Sequence, residues 1–262
     1  LRLINDKYGE GTVQVGGKSI AEQIARRYAL SDILALTMAI GYIPLGRIIE
    51  IHGSEDSGKT ALALHLAQRS GEPILFMDAD RSLSPVYLRG IEEIYYMRPE
   101  TLEDALKLCR TAAEVFGTIV IDTLTALPTR RDLAFRLEQE AWVHSEAAKM
   151  LSHSLPTLVR TLNRTGCTLI LVNQMRNNPC IQFGHTDHPT GGRAIGYYAA
   201  QRLAVYRTEH KKYGQRVLIV TEKNKYAAPF RRAEVGLIYG RGLVPLPEWE
   251  AMEAGGHRAA YA

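Results

Sequence analysis

Gly53-Ser54-Glu55-Asp56-Ser57-Gly58-Lys59-Thr60 follows directly on the apolar run Ile48-Ile49-Glu50-Ile51 and opens into residues 61–67, rich in alanine and leucine. Glycines at both ends let the backbone curl so that successive N–H groups converge on a phosphate, and the positive end of the following helix adds to the field. Lys59 then reaches the β- and γ-phosphates, and the Thr60 hydroxyl can hold Mg²⁺. An ordinary glycine-rich turn has no need of a buried strand before it and a helix after it. The stretch predicts a strand–loop–helix unit of an α/β fold that binds a nucleoside triphosphate, with residues 53–60 and Ala61 as its cradle.

Outward from this unit, strands and helices alternate, which predicts a mostly parallel central sheet flanked by helices. Residues 47–52, 74–78, 118–122 and 167–173 read as strands. Residues 59–70, 102–112 and about 140–164 read as helices, with Pro156 kinking or dividing the last. Thr101 and Asp104 resemble a capping box ahead of the second helix, and Gly117 stops it. Beyond residue 173 the pattern is β alone: 202–207 and 217–223, separated by polar residues 208–216, read as an antiparallel hairpin. Near the start, residues 1–8 suit a short helix, 12–15 alternate like a strand, and 33–40 are apolar and helical. Residues 250–262 lack a buried pattern. The expected division is an N-terminal segment 1–35, a core 36–245 and a C-terminal tail 246–262.

At 262 residues, 46% hydrophobic and 23% charged, the chain has the composition of a globular protein with one large core, or one core with a small appendage. No apolar run reaches membrane-spanning length, so no membrane partner is expected. Cys109 and Cys167 sit in apolar patterns and read as core, while Cys180 lies in a loop; without pairing or zinc spacing, they fit a reducing cytoplasm. Net charge is +4, yet residues 176–262 hold 13 Lys+Arg against 7 Asp+Glu. A basic C-terminal third suggests a polyanionic partner such as nucleic acid, although a solvated basic face looks the same.

A triphosphate site needs acidic groups near the loop. Asp122, ending the run Ile119-Val120-Ile121, is placed to hold the metal. Asp78 and Asp80 both lie at the end of the second core strand, and one of them is expected to polarise the attacking water. Asp80 lies further toward the carboxyl ends, where ligands of open α/β sheets bind.

The downstream segments narrow the reading. Asn173-Gln174-Met175-Arg176 is followed by Gly191-Gly192, Lys223-Asn224-Lys225, Ala227-Ala228-Pro229-Phe230 and Tyr239-Gly240. Together with the phosphate loop, residues 119–122 and Tyr8-Gly9-Glu10-Gly11-Thr12, this ordered set resembles bacterial and phage RecA-type recombinases over about residues 4–243. The resemblance implies a RecA-like ATPase core. It also implies ATP and Mg²⁺ as cofactors, single-stranded DNA and homologous duplex DNA as partners, and a helical homo-oligomeric filament packed through residues 1–15. It makes Gln174 the sensor of the γ-phosphate. Lys223 and Lys225 would reach the nucleotide of the adjacent subunit, Tyr87 would stack on adenine, and Tyr239 would cover the base from another side. The first DNA-binding loop would carry Arg130, Arg131 and Arg136. The second would carry Arg176, Phe183 and Gly184 and run toward Gly191, Gly192 and Arg193, while Arg202 and Arg207 would add to the positive filament axis.

Two departures stand out. Asp80 occupies a position where bacterial members carry glutamate, one methylene longer, which implies slower hydrolysis. The given sequence also ends about twenty residues after Tyr239-Gly240, where the family carries a further C-terminal lobe. The leading expectation is a DNA-dependent ATPase that performs strand exchange in recombination and repair. The alternatives are a recombination mediator without strand exchange and a hexameric helicase motor on the same core.

Overall fold

The computed structural model describes residues 6–7, 28–88, 91, 93–134, 144–177, 187–189 and 193–254. The chain enters through β1 (Tyr28–Ala29), α1 (Leu34–Ile40) and β2 (Ile43–Pro44), with β1 and β2 paired antiparallel. The core unit is β3 (Ile48–Gly53), α2 (Lys59–Ser70) and β4 (Ile74–Asp78). A 3-10 turn at Pro85–Leu88 leads to β5 (Ile94–Met97), then α3 (Leu102–Ala112), β6 (Thr118–Asp122), α4 (Arg130–Ala134) and α5 (His144–Thr165). β7 (Thr168–Asn177), β8 (Asp187–Pro189) and α6 (Arg193–Tyr198) follow. The chain closes with β9 (Gln201–Lys211), β10 (Gly214–Asn224), β11 (Arg232–Ile238), β12 (Gly242–Pro245) and α7 (Leu246–Ala254).

Strands β3 to β12 form one ten-stranded sheet in the order β12-β11-β10-β9-β3-β7-β6-β4-β5, with β8 beside β7, and β1 and β2 form a separate pair. The strands from β5 across to β9 run parallel, and β9 through β12 are antiparallel. β3 lies between β7 and β9 and all its residues are buried, so its alternate side chains serve two cores. Ile49 and Ile51 pack with Leu62 and Leu66 of α2 on one face. Ile48 packs on the other with Leu155 and Leu162 of α5 and Cys109 of α3. Cys109 and Cys167 are buried free thiols, and burial pushes the Cys167 thiol up to about 12.

The α/β class, the strands 74–78 and 118–122 and the helix Lys59–Ser70 match the sequence expectation. Thr101 caps α3 by accepting from the Asp104 N–H at 3.2 Å. Other boundaries differ. α5 runs as one 22-residue helix through Pro156 and is not divided. The hairpin arms are longer than expected, because polar residues 208–211 and 214–216 join the ladder and leave only Lys212 and Tyr213 between the strands. The boundary at residue 35 divides α1, and Ile33 already belongs to the core. The tail expected from residue 246 begins instead as α7, whose Trp249 is fully buried with Tyr213, Ile238 and Val244. No helix among the described residues is long and apolar enough to cross a membrane.

Candidate nucleotide site

The phosphate loop hangs between β3 and α2. Gly53 leaves β3 where a Cβ would stand 2.2 Å from the Val205 carbonyl of β9, so no larger residue fits beside that strand. Gly58 turns the chain into α2 at φ 96, a left-handed conformation natural to glycine. From β10, the Gln215 side-chain amide donates to the Asp56 carbonyl at 3.1 Å and ties the loop to the sheet. The Ser57 Oγ is buried without a hydrogen-bond partner among the described residues. Lys59 Nζ folds back on the Ser54 carbonyl at 2.5 Å. Burial lowers its pKa, opposed first by Asp122. Free helix N–H groups, an orphaned hydroxyl and a half-buried ammonium form a donor set suited to phosphate oxygens.

The acidic side of the site comes from β4 and β6. Thr60 Oγ1 donates to Asp122 Oδ2 at 2.5 Å, pairing the hydroxyl and carboxylate that suit a small hard cation. Burial raises the Asp122 carboxyl to about 6, with the Thr60 bond opposing the rise. Asp78 sits beside Asp122 in the sheet register but is buried, accepting from the Tyr96 hydroxyl at 2.7 Å and the Ser82 N–H at 3.1 Å. Asp80 is exposed and lines a cavity of about 470 Å³ together with Lys59, Thr60 and Asp122. Its Oδ1 accepts from Ser82 N at 3.1 Å and Ser82 Oγ at 2.7 Å. Tyr87 and Tyr239 line the same cavity, and so does Gln174, whose register partner in β3 is Gly53.

With this arrangement in place, the profile of the RecA N-terminal domain matches residues 1–244. The chain belongs to the RecA family. Protein RecA of Oceanobacillus iheyensis is 34% identical over 257 residues, covering 93% of this chain and 74% of the relative. Protein RecA of Salinispora tropica is 35% identical over 259 residues, at 93% and 73% coverage. Among solved structures, the crystal structure of the RadB recombinase shares the fold at a TM-score of 0.63 and 20% identity, covering 81% of this chain and 97% of that one.

The remaining residues suggested by the RecA resemblance fall in several places. Lys223 and Lys225 do not line this cavity. Lys223 Nζ donates to the Gly196 and Tyr197 carbonyls at 2.7 and 2.9 Å, at the negative end of α6. Partial burial lowers its pKa, and Lys225 and Arg202 lower it further. Lys225 lies one residue past β10, its N–H on the Ala200 carbonyl at 3.1 Å. Arg130 pairs with Asp104, Arg131 with Glu146 at 2.8 Å, and Arg193 is exposed at the start of α6. The backbone of Arg176 pairs with His188 in β8. Arg136, Cys180, Phe183, Gly184, Gly191, Gly192 and the 12–15 strand lie outside the described residues.

Two of these residues have partners or places that the sequence did not suggest. Arg202 is ion-paired within the chain, its Nε meeting the buried Glu50 carboxylate at 2.6 Å. Arg207 lines the nucleotide cavity, because β9 runs directly beside the phosphate loop. His210, Gln215 and Leu237 of the same wall also went unread from the sequence, since they sit in the hairpin and in β11. A buried polar layer was missed as well. Asn173 Oδ1 accepts the Gln174 N–H at 3.0 Å, Asn173 Nδ2 donates to Glu50 at 3.0 Å, and His52 meets Glu222 at 3.0 Å. The available signal was Glu50 and His52 within an otherwise apolar strand.

Proposed function

We propose that this chain is an ATP-dependent recombination protein that assembles as a helical filament on single-stranded DNA and pairs it with a homologous duplex. The observation that carries the reading is the place of Gln174, in register with Gly53 of the phosphate loop and facing the same cavity. A side chain there can donate to a phosphate oxygen while its backbone leads into the segment that resembles a DNA-binding loop. The loop N–H groups and Lys59 bind the phosphates, Thr60 and Asp122 would hold the metal, and Asp80 accepts a proton from the attacking water. Bound Mg²⁺ would supply positive charge that offsets the charge of the phosphates. Tyr87 and Tyr239 flank the base, and Lys223 with Lys225 reach the site of the next subunit. Strand exchange breaks no covalent DNA bond; base pairing drives it, and hydrolysis lets subunits leave.

A strand-exchange assay with ATP, with a slowly hydrolysed analogue and without nucleotide tests the reading. Joint molecules are expected in the first two arms and not in the third. Their absence even with the analogue would overturn it. A second reading, a mediator that binds ATP and subunits without exchanging strands, is favoured by Asp80, whose Oδ1 is already engaged by two Ser82 donors. Nucleotide-dependent self-association without joint molecules would select that reading.

A further inference from the structure

α7 packs against the strand that leads into the wall of the nucleotide cavity. Its Trp249 lies directly on Gly236 of β11, where a Cβ would come within 2.2 Å of the Trp249 Cβ. Glycine at that register position is what lets the indole seat on the strand. The Tyr213 ring stands 5.8 Å from the indole, and the Arg216 guanidinium 5.5 Å from its centroid. Arg216 also pairs with Glu250 of α7 at 2.6 Å and with Glu234 of β11 at 3.7 Å. A second ion pair joins Glu248 of α7 to Arg241.

These contacts converge on the turn between β11 and β12. The Tyr239 N–H donates to the Tyr213 carbonyl at 3.0 Å, and the Arg241 N–H to the Ile238 carbonyl at 3.1 Å. Gly240 and Gly242 follow at φ 85 and 95, left-handed conformations natural to glycine, so packing from outside adds to the few bonds that hold the turn. Tyr239 is the ring this turn presents to the cavity, with His210 6.4 Å from it.

We infer that α7 is a clasp that fixes the Tyr239 ring for the nucleotide base, with Trp249 as its positioning residue, so that it sets affinity for the base and leaves the phosphates untouched. The inference rests on the nucleotide reading above. Stacking gains depend on ring geometry, and a ring held in place before binding loses less freedom when the ligand arrives. The phosphate loop is anchored by bonds that α7 does not itself make, the Gln215 amide on the Asp56 carbonyl and the β3–β9 pairing.

The test compares equilibrium binding of ATP with that of inorganic tripolyphosphate, which has no base. Trp249→Ala is expected to weaken ATP binding roughly tenfold while tripolyphosphate binding stays at the wild-type level. Trp249→Phe, which keeps a ring on Gly236, is expected to restore most of the affinity. In a Tyr239→Ala background, Trp249→Ala should have no further effect. Should Trp249→Ala not fold, the double variant Glu248→Gln/Glu250→Gln loosens the helix without opening its core, and is expected to weaken ATP selectively by a few fold. Unchanged ATP affinity, an equal loss for both ligands, or an undiminished loss in the Tyr239→Ala background would each overturn the clasp. A wild-type chain that bound neither ligand would instead sink the nucleotide reading, and the clasp with it.

Discussion

A carboxylate that polarises water must face the nucleotide, and at the end of β4 two candidates are divided by the single residue Ala79. Asp78 points into the fold and is held by Tyr96 and Ser82, whereas Asp80 faces the cavity. Asp80→Asn keeps the shape and the Ser82 contacts of an acceptor but loses the base, so it is expected to bind ATP normally and to hydrolyse it about 10²–10³-fold more slowly, read in steady-state turnover. Full turnover would move the role to another group. Asp78→Asn is expected to act on the fold instead, lowering stability by about 1–3 kcal/mol in denaturant melts. Away from the site, burial pushes the pKa of His65, on α2, down to about 4, with nearby Asp32 opposing; its Nε2 is 2.9 Å from Ser31 Oγ and 3.4 Å from Asp32. The unfolded chain takes up this proton near pH 6.5 and the folded chain only near 4, so stability falls as pH drops through that window. The loss is at most on the order of 3 kcal/mol. Denaturation at stepped pH should show this slope in the wild type and a shallower one in His65→Gln; equal slopes would contradict it.

At the scale of elements, the parallel core was legible because strands covered on both faces become continuous apolar runs, as Ile74–Asp78 and Thr118–Asp122 do. The phosphate loop was legible for a different reason, since its glycines and lysine are dictated by phosphate geometry. Other elements hide because backbone pairing needs no apolar side chains. β5 is an edge strand with Tyr95 and Tyr96 turned outward, and the hairpin extends through Thr208, Glu209 and His210 into solvent. α7 is organised around one tryptophan, too little for periodicity to register. The nucleotide cavity inherits this blind spot, because His210 and Gln215 come from the unread part of the hairpin. Gln215 offers the sharpest test. It is buried, and its amide spans from β10 to the Asp56 carbonyl. Gln215→Leu fills similar space but leaves that carbonyl without its donor, at a cost of about 1–1.5 kcal/mol. Nucleotide affinity should fall by roughly five- to tenfold. A variant that binds like the wild type would mean that the loop holds its shape without the sheet.

For the whole molecule, the telling contrast is between what lines the cavity and what does not. Lys59, Asp80, Asp122 and Gln174 face it from one subunit, while Lys223 and Lys225 are absent from its lining and Lys223 caps α6. If these lysines serve the next subunit's nucleotide, each working site combines a phosphate loop from one copy with lysines from another, as a head-to-tail contact requires. Lys59→Ala and Lys223→Ala should then each be nearly inactive alone in DNA-stimulated ATP hydrolysis, for opposite reasons. Mixed in equal amounts on one DNA, a Lys223→Ala subunit supplies an intact loop and a Lys59→Ala neighbour supplies the intact lysines. Random mixing places that pairing at about a quarter of the interfaces, so turnover should recover to roughly that fraction of the wild type. Recovery must also vanish when one variant carries both substitutions, since no interface then has two sound halves. An inactive mixture beside a normally folded Lys223→Ala chain would confine the lysine to its bond with α6 and remove the trans contact from the mechanism.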